Sequence, residues 1–272
     1  MRDASSLNAA QIRFFINQPE DSTMTDSVNA DLAFEETLAY EDDAAGQAFR
    51  GLYVRHQSGA APRAGLMVVP DWRGISPFVR EQAQEFSHGG YDVAVVDLYG
   101  SGLYAQDESQ ASSLLKGLID HRASGVARMR ACLAAFRNRL GPSPKVIVLG
   151  YSVGGMVSLD FGRNSAPLAG IVLCSALLKT AAEGEPSRIG VPVLALHGSM
   201  DVVCPGSMVY ELTAEMDRAS NDFRIVLYGR THHAFYNPQV GTDPSARLVY
   251  SEQSDKASKE EIVRFIERSS VA

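Results

Sequence analysis

The chain has 272 residues, 45% of them hydrophobic, which is enough for one large domain with a buried core. A net charge of -7 without any basic run argues against a nucleic-acid backbone as partner, and no apolar stretch reaches bilayer-spanning length. Cys132, Cys174 and Cys204 are too scattered for a disulfide framework or a metal site, and no basic-then-apolar leader opens the chain, so the expected compartment is a reducing cytoplasm.

Residues 1–33 are rich in Asn, Ser, Asp and Thr and read as a flexible tail ahead of a single domain over 34–272. Met24 is a candidate start within it. Ile12, Phe14, Phe15 and Ile16 are its only apolar cluster and could anchor it to the domain or across a homodimer contact. Glu36–Tyr40 and Ala48–Arg55 flank a turn-rich Asp42–Gly46 and predict an antiparallel hairpin. From there strands alternate with helical patterns, which predicts an α/β fold with a mostly parallel central sheet and helices on both faces. Ser76 and Pro77 start a helix whose inner face is Val79, Ala83 and Phe86. Val126, Met129, Leu133, Phe136 and Leu140 keep helical spacing up to a stop at Gly141-Pro142, and Val209, Leu212 and Met216 line another helix. Ser258-Lys259-Glu260-Glu261 has the form of a capping box for a last helix with Ile262, Phe265 and Ile266 inward. Gly100–Ser109, Thr180–Gly190 and Tyr236–Ala257 read as loops at a pocket rim, the last long enough to contact substrate.

The most informative segment is Val146–Gly155. A β-branched run feeds into Gly150-Tyr151-Ser152-Val153-Gly154, a G-x-S-x-G sequence in which a sharp strand-to-helix turn pushes the serine hydroxyl out above the sheet. Gly150 and Gly154 leave room for the helix to pack close to the strand. Such a serine needs a base and an orienting acid, in the chain order Ser, Asp or Glu, His. After Ser152 a buried strand ends in His197-Gly198-Ser199-Met200-Asp201, and a shorter one, Arg224–Tyr228, leads to Thr231-His232-His233. Asp201 is the candidate acid, with His232 and His233 competing as base. His197 reads as a residue that orders the turn carrying Asp201. The oxyanion hole needs two backbone N–H groups, one from Val153 after the nucleophile and one from the loop after an earlier strand, where Pro70-Asp71-Trp72-Arg73-Gly74 makes Trp72 the candidate.

These residues, together with Tyr91–Tyr99 and His233-Ala234-Phe235, resemble the dienelactone hydrolase family of α/β-hydrolases from about Ala64 to the C-terminus. The resemblance implies Ser152 as nucleophile, Asp201 as acid, His233 rather than His232 as base, and Trp72 and Val153 as oxyanion donors. Asp71, Tyr99, Tyr151 and Phe235 sit beside motif residues and are the candidates for contact with substrate, although core packing explains the aromatic ones nearly as well. The chain departs from the founding dienelactone-cleaving enzymes at three points: Ser152 stands for their cysteine, Asp71 for a glutamate, and Ser101 and Asn237 for two arginines that hold a substrate carboxylate. Neither Ser nor Asn copies the bidentate grip of a guanidinium on a carboxylate, so a neutral ester or lactone is the expected substrate.

The expected activity is therefore hydrolysis of small carboxylic esters or lactones through an acyl-enzyme, with no metal or organic cofactor. A peptidase or amidase on the same triad is the alternative, and a non-catalytic binding protein on a hydrolase scaffold is a third reading. The expected partner is a small-molecule ester or lactone, with no nucleic acid and no membrane, and the oligomeric state is open between monomer and homodimer.

Overall fold

The structure is a computed structural model that describes residues 34–42, 47–57, 61–140, 145–164, 166–181 and 188–271. The expected tail over 1–33, the turn after Asp42, the Gly141-Pro142 stop and much of the Thr180–Gly190 loop lie outside these residues.

Among the described residues, eight strands form one sheet: β1 (Phe34–Asp42), β2 (Gln47–Arg55), β3 (Gly65–Val69), β4 (Asp92–Val95), β5 (Val146–Tyr151), β6 (Gly170–Cys174), β7 (Val193–Gly198) and β8 (Phe223–Tyr228). Their spatial order is β1-β2-β4-β3-β5-β6-β7-β8. β1 pairs antiparallel with β2, and β2 antiparallel with β4, while every pairing from β4 to β8 is parallel. The expected N-terminal hairpin and mostly parallel sheet are both present.

Among the described residues, six α-helices cover the sheet: α1 (Pro77–His88), α2 (Glu108–Asp120), α3 (Arg122–Leu140), α4 (Val153–Arg163), α5 (Gly206–Arg218) and α6 (Glu252–Val271). Residues of β3 and β5 alternate between the faces. Met67, Val69 and Val148 enter one core with Met129, Phe136, Met156 and Leu212 of α3, α4 and α5. Leu66, Val68, Ile147 and Leu149 enter the other with Phe78, Val79 and Ile262 of α1 and α6. Covered on both sides, the central strands read as unbroken apolar runs. Such sheets bind ligands beyond the carboxyl ends of their strands, and Ser152 follows the carboxyl end of β5, near the middle of the sheet.

Ser76 caps α1 as expected, its Oγ accepting the Val79 N–H at 3.4 Å. Two helix starts differ from the sequence reading. α2 begins at Glu108, within the expected Gly100–Ser109 loop, where Asp107 accepts the Gln110 N–H at 2.8 Å. Its apolar residues Ala111, Leu114, Leu115, Leu118 and Ile119 keep helical spacing, with Ala111 and Leu118 buried. The last helix starts at Glu252 rather than at a Ser258 cap. Ser251 Oγ accepts the Ser254 N–H at 3.4 Å, whereas Ser258 lies inside the helix and donates back to the Asp255 carbonyl at 2.8 Å. Glu252–Lys259 is polar, so the apolar spacing becomes visible only from Ile262.

Candidate active site

The turn between β5 and α4 holds Ser152 at φ 50°, ψ -117°, a left-handed conformation that a non-glycine residue rarely adopts. The turn is tight because two glycines allow it. A Cβ on Gly154 would lie 2.4 Å from the Val69 and Pro70 carbonyl oxygens, and one on Gly150 would lie 2.5 Å from Ser158 Oγ. The backbone of Ser152 is also tied down, its N–H donating to the Cys174 carbonyl at 3.2 Å and its carbonyl accepting the Leu177 N–H at 3.0 Å.

Two other strand ends supply the partners. Ser152 Oγ is 2.9 Å from His233 Nε2, and His233 Nδ1 is 2.7 Å from Asp201 Oδ2. Asp201 follows β7, and its Oδ1 accepts the N–H groups of Val203 at 2.9 Å and Cys204 at 2.8 Å. His233 lies beyond β8, its carbonyl accepting the Val249 N–H at 3.0 Å. Ser152, Asp201 and His233 are only 8%, 5% and 3% exposed, so water competes little for these bonds. Burial alone would raise the Asp201 carboxyl, but hydrogen bonds from His233 and the Cys204 amide outweigh it and hold Asp201 below the ordinary aspartate range. His197 is buried and held toward its neutral form by desolvation. Its Nε2–H donates to the Cys204 carbonyl at 2.9 Å, which fixes the turn that carries Asp201. His232 is half-buried and makes no bond to Ser152 or Asp201.

A cavity of about 830 Å³ opens over Ser152 and His233, with Asp71, Trp72, Tyr104, Leu177, Tyr236 and Leu248 among its walls. Val153 is the first residue of α4, so its N–H is one of those a helix start leaves without an intrahelical partner. Asp71 is buried beside the cavity, its Oδ1 accepting the Arg73 N–H at 2.9 Å, and desolvation pushes its carboxyl up. Among the described residues the Tyr236 hydroxyl, although buried, has no hydrogen-bond partner.

Three of the expected substrate contacts lie behind the cavity instead of in its wall. Tyr99 donates to the Trp72 carbonyl at 3.1 Å and supports that loop from outside. Tyr151 packs edge-on against Phe78 with centroids 5.4 Å apart, and Phe235 is fully buried against Tyr228. Tyr151 is the last residue of β5, where successive side chains point to opposite faces of the sheet. Leu177 carries no sequence signal of its own, whereas Tyr104 comes from the expected Gly100–Ser109 rim loop, and Tyr236 and Leu248 from the long segment expected to contact substrate. Among the described residues, no group of three His, Cys, Asp or Glu is placed to hold a metal ion.

The elbow serine, the buried histidine and aspartate, and the strand order together define a serine hydrolase with the α/β-hydrolase fold. Residues 49–270 match the model of the dienelactone hydrolase family, and the chain belongs to that family. No curated protein sequence matches it. Among solved structures, a dienelactone hydrolase-like promiscuous phosphotriesterase from metagenomic libraries superposes with a TM-score of 0.80 at 24% identity, over 86% of this chain and 98% of that one. A candidate dienelactone hydrolase from Klebsiella pneumoniae gives 0.70 at 19% identity, over 87% and 99%. The Pyrococcus horikoshii acylaminoacyl peptidase gives 0.65 at 12% identity, and there the match covers 88% of this chain but only 42% of the peptidase. At these identities the solved structures speak to the fold.

Proposed function

We propose that Ser152, His233 and Asp201 hydrolyse small carboxylic esters or lactones. The observation that carries this reading is the unbroken chain of contacts from Ser152 Oγ through the His233 imidazole to Asp201. His233 Nε2 takes the Ser152 proton as Oγ attacks the acyl carbon, while Asp201 fixes the tautomer and balances the imidazolium. The Val153 and Trp72 N–H groups receive the oxyanion, and one such donor is typically worth about 3 kcal/mol. The proton on His233 then passes to the leaving alcohol, and a water activated by the same imidazole releases the acid and restores Ser152.

The partner is a small ester or lactone. Among the described residues no helix is long and apolar enough to cross a membrane. Cytoplasmic residence is part of the proposal and is supported by three buried free thiols. The unit over 34–272 carries the activity, and a chain starting at Met24 should hydrolyse esters as the full chain does. Loss of an oligomer or of activity on removal of the first 23 residues would show a role for that segment.

The absence of arginine at Ser101 and Asn237 supports an uncharged substrate. A second reading, an ester bearing a carboxylate, is favoured by Arg73 and Arg247, which also line the cavity. Esters of varied acyl length, lactones, a peptide anilide and a dienelactone beside its methyl ester, each run on wild type and Ser152→Ala, test both. The proposal expects Ser152-dependent turnover of esters and lactones and little of the anilide, with the methyl ester preferred to the free acid. Preference for the free acid would favour the second reading, and preference for the anilide would show a peptidase.

A further inference from the structure

Ser175 belongs to none of the motifs, yet its hydroxyl lies at the centre of the triad's far side. It follows β6 directly, has no solvent exposure, and sits at φ 46° in the left-handed region that a serine seldom occupies. Its N–H donates to the Leu196 carbonyl of β7 at 2.8 Å, which ties the strand end to the strand that delivers Asp201. Its Oγ accepts the backbone N–H of Ala234, the residue after the base, at 3.0 Å. The same oxygen is 3.4 Å from Asp201 Oδ2 and 3.2 Å from His233 Nδ1.

The direction of these bonds follows from proton counting. The Ala234 N–H takes a lone pair on Ser175 Oγ, so the hydroxyl has one proton left to give. His233 Nδ1 is not free to accept it, because its own proton points to Asp201 at 2.7 Å while Nε2 receives the proton of Ser152. The Ser175 proton therefore goes to Asp201 Oδ2. Asp201 then has four donors: Val203 and Cys204 amides on Oδ1, and His233 and Ser175 on Oδ2.

We propose that Ser175 is a positioning residue of the hydrolase, its hydroxyl locking the Asp201 carboxylate and the His233 loop in register at once. The inference rests on the ester-hydrolase reading given above. A residue that aims the acid and the base changes the chemical step and leaves substrate binding largely alone. The strained backbone at 175 fits this role, since the turn is needed to bring Oγ beneath the imidazole. Ala234 shares the positive φ, at 58°, so the two residues joined by the hydrogen bond are both held in an unfavoured conformation.

The test compares Ser175→Ala with Ser175→Gly. Glycine suits the backbone of this site and also removes the hydroxyl, so it separates the hydroxyl from the strain. Both variants are expected to keep KM within about twofold while kcat falls about tenfold, as for loss of one hydrogen bond to a charged group. The low-field proton resonance of the His233 Nδ1–H···Asp201 bond, assigned by its loss in His233→Gln, should move in both. Wild-type kcat in the glycine variant, or an unmoved resonance in either, overturns the proposal. The resonance can be read without any substrate, so a protein that hydrolyses no ester would refute the ester-hydrolase reading and still give an answer on Ser175.

Discussion

Ser152 Oγ and His233 Nε2 stand 2.9 Å apart although 81 residues separate them in the chain. The contact exists because parallel strands align their carboxyl ends at one edge of the sheet, and the turns beyond β5, β7 and β8 each deliver one polar side chain to the same point. The nucleophile is aimed by a strained turn and the base by a loop, so catalysis depends on both the rigid sheet and the packing of its rim.

Substitution within the triad should reveal which histidine is the base. Ser152→Ala, Asp201→Asn and His233→Ala should each lower ester kcat by about a thousandfold or more with the fold retained, because such residues act as a unit. His232→Ala should cost less than about tenfold, since it touches neither partner. Steady-state kinetics with circular dichroism measures both quantities. A dead His232→Ala beside an active His233→Ala would reverse the assignment.

Thiol reagents should leave the native enzyme active. Burial pushes Cys204 up to about 11 and Cys132 up to about 12, and it raises Cys174 as well, so little reactive thiolate is present at neutral pH. Incubation with iodoacetamide at pH 7 followed by activity assay and peptide mapping should show full turnover and no adduct. Inactivation with alkylation of Cys204, which lies in the Asp201 turn, would point to a different chemistry.

Glycine substitutions should divide sharply by the space around them. Gly154→Ala puts a methyl 2.4 Å from two carbonyl oxygens of the β3 end and should cost about 3 kcal/mol or more, or prevent folding. Gly117→Ala in α2 meets nothing within 4 Å and should stabilise by about 0.5–1 kcal/mol through helix propensity. Urea denaturation of the two variants reads the difference directly, and equal stabilities would contradict the close packing of the elbow.

Sequence and structure agree best where a residue's job is set by backbone geometry. The G-x-S-x-G turn, the Asp201 turn and the hairpin were all legible because each combines an apolar strand with small or polar turn residues. The start of α6 was not legible, because Glu252–Lys259 carries no apolar stripe and Ser258 mimics a cap. Ser175 was also hidden: a lone serine after a strand is common, and its importance comes from a contact with residues 26 and 58 positions away. For Tyr151 and Phe235 the sequence left substrate contact and core packing open, and in the structure both rings pack among other buried aromatic residues.

The pH dependence of stability should carry a signature of Asp255, in the first turn of α6. Burial pushes its carboxyl up to about 6, above the ordinary aspartate value, even with Lys259 Nζ 3.5 Å away. A carboxyl raised in the folded state favours its protonated form there, so its ionisation costs stability above about pH 6, and that cost fades as pH falls toward the unfolded value near 4. Asp255→Asn removes the charge and leaves Lys259 its contact with Glu85 at 3.0 Å. Its Tm should exceed that of wild type by several degrees at pH 8, and the gain should shrink toward zero at pH 4. Calorimetry at the two pH values checks this, and a gain that grows on acidification would contradict the sign.

The most direct measurement is fluorophosphonate labelling of the native protein, with the adduct located by peptide mass spectrometry and ester hydrolysis followed in the same samples. One adduct on Ser152 is expected, with activity lost in proportion to its occupancy and with neither labelling nor turnover in Ser152→Ala. An adduct on another residue, or wild-type ester hydrolysis by Ser152→Ala, would contradict Ser152 as the nucleophile.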